Sequence, residues 1–69
     1  MKANKKRMYF NILDDDYIEY NAHIKDGTSI RDAKSDAIKF MRANGIKFAN
    51  LQVNDMATDD IIDTIEINL

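Results

Sequence analysis

Apolar and polar side chains alternate between Arg7 and Leu13, with Met8, Phe10 and Ile12 on one face and Tyr9, Asn11 and Leu13 on the other. That two-residue period predicts a half-buried strand. The pattern resumes from Tyr17 to Lys25. There Ile18, Tyr20, Ala22 and Ile24 oppose Tyr17, Glu19, Asn21, His23 and Lys25. Asp14-Asp15-Asp16 between the two runs has the composition of a turn. A three-residue loop sets Leu13 opposite Tyr17 and pairs Ile12 with Ile18, Phe10 with Tyr20 and Met8 with Ala22. A two-residue loop would put Ile12 opposite Glu19, because a slip of one residue reverses the faces. A hairpin with an odd-numbered loop is expected.

The two glycines of the chain, Gly27 and Gly45, bracket a segment from Thr28 to Asn44 with helical periodicity. Ile30, Ala33, Ala37 and Met41 fall on one stripe at 100° per residue, flanked by Ile38 and Phe40. Asp32, Ser35, Asp36, Lys39 and Arg42 fall opposite. Ser29 followed by Asp32 resembles a capping box, with Thr28 as the competing N-cap. Asp32 near the start and Arg42 near the end suit the helix dipole. Asn44-Gly45 is a stop signal. Alanines on the inner stripe predict a helix seated close against a sheet.

Ile46 to Val53 reads as a further strand, with Ala49, Leu51 and Val53 on one face, and Asn54 to Asp60 as a polar connection. The last segment admits two readings. Ile61, Ile62 and Ile65 fit one helical face, whereas Ile65 to Leu69 alternates and the run is rich in β-branched residues, which suit a pleated surface. The strand is preferred. The expected fold is α+β, in the order ββαββ, a small antiparallel sheet with one helix packed on one face.

Sixty-nine residues allow one domain. The net charge of −2 is unevenly spread: Lys2, Lys5, Lys6 and Arg7 carry +4, which leaves −6 on residues 8–69. Residues 1–6 are therefore read as a basic arm and 7–69 as the domain. With no cysteine and one histidine, disulfides, thiolate metal sites and multi-histidine clusters are excluded. Proline is also absent, which argues against proline-rich linkers. The apolar stretch Met8–Leu13 is too short for a signal peptide, and nothing approaches a membrane span. The expected location is cytoplasmic.

Candidate chemistry is sparse. Asp14, Asp15 and Asp16 offer carboxylate oxygens to a hard cation, but adjacent residues of a tight turn point apart, and the run is read as a hairpin turn. Asp59, Asp60 and Asp63 are read as loop solvation or as charge at the N-terminus of a helix. His23 has no nucleophile beside it, so no catalytic residue is assigned, and neither a metal nor a cofactor is expected. The outer face of the hairpin carries Arg7, Tyr9, Tyr17, His23 and Lys25. Such a mixture serves either as a protein-contact surface anchored by tyrosines or as a sheet that stacks and neutralises single-stranded nucleic acid.

The run Gly27-Thr28-Ser29-Ile30-Arg31-Asp32-Ala33, opening a helix after a hairpin, resembles in topology the small antitoxins of the HicB type over residues 8–44. The proline-glycine segment that those proteins carry before the helix is missing here. The resemblance implies a small domain that binds a protein partner. The sequence as a whole favours a non-enzymatic binding or regulatory module, acting through a protein partner or a second copy of itself. The alternatives are nucleic-acid binding by the tyrosine and basic face, and an acidic decoy of the inhibitor type.

Overall fold

The computed structural model describes residues 7–22, 24–27 and 29–69. Strand β1 (Met8–Leu13) is followed by helix α1 (Ile30–Ala43), then strands β2 (Phe48–Asp55) and β3 (Ile61–Asn68). The three strands form one antiparallel sheet in the order β1-β2-β3. The α+β class holds, and the final segment is a strand. The order is βαββ, not ββαββ, because the second expected strand does not form.

The segment after β1 does run back along its outer edge, touching it at two points. Leu13 bridges Glu19 and Met8 bridges Gly27. The loop that returns the chain spans residues 14–18, two longer than expected, so Ile12 accepts the Tyr20 N–H instead of facing Ile18. A shift of two residues preserves the faces, and Tyr20 still packs on the core. Ile18 falls in the loop and is exposed. From Leu13 to Met8 is five steps of β1, whereas Glu19 to Gly27 is eight. The three surplus residues cannot join a regular ladder. The chain turns sharply where the Ala22 N–H bonds the Tyr20 carbonyl.

Asp14 organises the 14–18 loop. One of its carboxylate oxygens accepts from the N–H groups of both Asp16 and Ile18, at 2.9 Å each. Its carbonyl takes the Tyr17 N–H, and Tyr17 adopts a left-handed backbone with φ 62°. The expected turn role of the aspartates is thus carried by Asp14.

The helix is built from local signals. Ser29 is the N-cap, its hydroxyl accepting the Asp32 N–H; Thr28 lies outside the described residues. At the other end Ile46 N–H bonds the Met41 carbonyl and Gly45 N–H the Arg42 carbonyl. That is the Schellman closure, which requires a left-handed residue after the C-cap Asn44. Gly45 supplies it with φ 68°. Ala33, Ala37 and Met41 are buried on the inner stripe. They share one core with Met8, Phe10 and Ile12 of β1, Ala49, Leu51 and Val53 of β2, and Ile67 of β3.

A Cβ added at Gly45 would meet no atom within 4 Å, so the effect of Gly45→Ala is purely conformational. Chemical denaturation is expected to show a loss of about 1–2 kcal/mol, with a smaller loss for Gly45→Asn, which tolerates the left-handed region. An unchanged midpoint for the alanine variant would contradict this account of the helix end.

Candidate interaction surface

The sheet face away from the helix is laid out in cross-strand rows. Tyr9, Asn54 and Ile61 form one row, Asn11, Gln52 and Thr64 the next, then Leu13, Asn50 and Glu66. The polar groups of the first two strands are engaged with one another. Asn11 donates to Gln52 at 3.2 Å, and Asn54 donates to the Tyr9 and Gln52 carbonyls. Asn50 donates to the Asp14 carbonyl. Asn50 and Asn54 are buried, and among the described residues no buried side-chain polar atom lacks a partner. These amides therefore knit the face together, and a ligand would have to break existing bonds to use them.

Tyr9 is half-buried, and its hydroxyl donates to the Asp59 carboxylate at 3.0 Å. The hydrogen bond with Asp59 holds the phenol pKa above its ordinary value, with desolvation and the Asp59 charge acting in the same direction. Tyr17 is exposed, but it sits in the loop beyond Leu13, about 13 Å of strand away from Tyr9. The two tyrosines therefore do not form one anchor patch. Arg7 is exposed at the Tyr9 end, where its carbonyl accepts the Met56 N–H. Lys25 lines a hollow of about 260 Å³ with Gly27, Ser29 and the acidic Asp26, Asp32 and Asp36, at the start of the helix. His23 lies outside the described residues. The structure thus gathers only Arg7 and Tyr9 near one end of the face, and a phosphate there would meet the Asp59 carboxylate.

Asp14, Asp15 and Asp16 do bring carboxylate oxygens within 4.8 Å of one another. Asp14 already spends one oxygen on two amide donors, which is the turn explanation given above.

Strand β3 is different in kind. Its inner side tucks only Ile65 and Ile67 toward the core, while Ile61 (61%) and Ile62 (43%) remain exposed. Ile62 is the extra residue of a bulge, since Val53 faces Asp63 and Asn54 faces Ile61. The far edge of β1 is met by residues 19 and 27, whereas no described residue pairs with the far edge of β3. Sequence reasoning identified β3 as a strand but passed over Ile61 and Ile62. Two adjacent β-branched residues beside aspartates were the available signal, but strand order, which makes this an edge, is not written in a local pattern.

Comparison with protein-family profiles, curated proteins and solved structures returns no match for this chain. No helix among the described residues is long and apolar enough to cross a membrane.

The Tyr9–Asp59 bond favours neutral phenol over phenolate. The stabilisation it provides is therefore full below the ordinary tyrosine range and is lost as pH rises through the raised value. Absorbance titration of tyrosinate is expected to show a late-ionising group that disappears in Tyr9→Phe and moves down in Asp59→Ala. A titration curve unaltered by Asp59→Ala would contradict the bond.

Proposed function

We propose that this chain is a small non-enzymatic binding module that works by contact with another polypeptide along the β3 side of its sheet. The observation that carries the reading is the eight-residue β3 edge, unpaired among the described residues and bordered by the exposed Ile61 and Ile62. A strand edge offers a row of backbone donors and acceptors, and proteins commonly recruit extended segments through such rows. The two isoleucines add apolar area next to that row. Tyr9 supports them from the same end of the outer face, in the row it shares with Asn54 and Ile61.

A nucleic-acid role through Arg7, Tyr9, His23 and Lys25 has less support. The Tyr9 hydroxyl is directed at a carboxylate, and Lys25 stands among aspartates beside the helix start.

The test is a paired variant, Ile61→Ser with Ile62→Ser. Both side chains are exposed, so far-UV circular dichroism is expected to be unchanged. Sedimentation velocity and pull-down of purified candidate partners, a second copy included, are expected to show saturable association for the parent and its loss in the variant. Equal association by both proteins would overturn this reading.

A further inference from the structure

The ladder phase of β3 follows from one bond. Leu69 N–H donates to the Lys47 carbonyl, in register with Ile67 opposite Ala49 and Ile65 opposite Leu51. In an antiparallel pair, alternate residues exchange both backbone bonds with the neighbour. The odd-numbered residues from Asp63 to Leu69 therefore turn their N–H and carbonyl groups toward β2. Thr64, Glu66 and Asn68 turn theirs outward.

One of these outward donors is already occupied. The Thr64 N–H bonds the carboxylate of its own neighbour Asp63 at 2.8 Å. Asp63 lies opposite Val53, on the helix side of the sheet, and folds back over the edge to reach that donor. A charge placed on an edge strand in this way hinders indiscriminate pairing, because an incoming carbonyl must displace the carboxylate before it can use the N–H.

The charge of this strand is one-sided, while Arg42 and Lys47 stand at its Leu69 end, six residues along from Asp63. Residues 59–69 contain Asp59, Asp60, Asp63 and Glu66 and neither lysine nor arginine. Pairing of β3 with β3 of a second copy would bring two such segments together, with like charges gathered on one ribbon. A segment carrying cations would instead neutralise them. A cation facing Asp63 would compete with the Thr64 N–H for that carboxylate, and where it prevails the donor is freed for the incoming backbone.

Resting on the β3-side reading given above, we propose that the β3 edge accepts a basic extended segment of a partner protein as a fourth strand, with Asp63 as the residue that selects it. The incoming strand places a lysine or arginine opposite Asp63 and bonds its backbone to Thr64, Glu66 and Asn68. Its alternate side chains lie beside Thr64 and Glu66 on the outer face.

The probes are two labelled peptides, one alternating arginine with valine and the other alternating glutamate with valine, measured by fluorescence anisotropy and by amide shifts of the full chain. The arginine peptide is expected to bind at least about tenfold more tightly, with the Thr64 and Glu66 amides moving most. Thr64→Pro removes an outward donor and leaves the β2 ladder intact, so binding is expected to fall about tenfold, whereas Thr64→Val retains it. In Asp63→Asn, a change that needs no backbone adjustment, the preference for arginine over glutamate is expected to shrink to within about threefold. Equal binding of the two peptides, unchanged binding by Thr64→Pro, or saturation of the edge by a second copy overturns the proposal. If the isoleucine pair proves essential for association while the peptides are not discriminated, the protein-contact reading stands and the basic strand falls.

Discussion

The structure depends on the seating of one helix over strand β2. Ala33 and Ala37 have no side chain beyond Cβ, so the helix lies close to Ala49, Leu51 and Val53, and Met41 fills the remaining space. A helix is about 10 Å across and strands are spaced about 4.8 Å apart, so a single helix shelters roughly two of them. Here the helix lies over β2, Tyr20, Ala22 and Ile24 pack on the same core, and the inner residues of β1 and β2 are buried along their length. The third strand receives partial cover, and its exposure follows from geometry rather than from an unusual composition.

The same constraint separates the two sides of the sheet. Bonds link the outer amides of β1 and β2 to one another and to backbone carbonyls. The irregular segment after the 14–18 loop meets the β1 edge at its two ends. What remains open lies at β3, with exposed isoleucines, outward backbone groups and carboxylates as its only charges. The proposed strand addition uses these features without disturbing the core.

The elements legible in the sequence were those specified by neighbours. Ser29, Asp32, Asn44 and Gly45 set the helix ends through bonds spanning a few residues, and the alternation of Met8, Phe10 and Ile12 identified a buried strand face. The alternation from Tyr17 to Lys25 was equally clear, yet no second strand resulted. Its register against β1 differs by three residues between Glu19 and Gly27, and a mismatch between two distant bridges is not written in a local alternation. The candidate site was less legible for a related reason. Tyr9 and Tyr17 belong to one face only if their strands pair directly, and Ile61 and Ile62 matter only because β3 lies outermost.

Amide hydrogen exchange along β3, followed by NMR on the free protein, tests the open edge most directly. The account predicts slow exchange at Ile65, Ile67 and Leu69, rapid exchange at Glu66 and Asn68, and an intermediate rate at Thr64, where Asp63 covers the N–H. Uniformly slow exchange at every one of these positions would show that the edge is already paired, and would contradict the account.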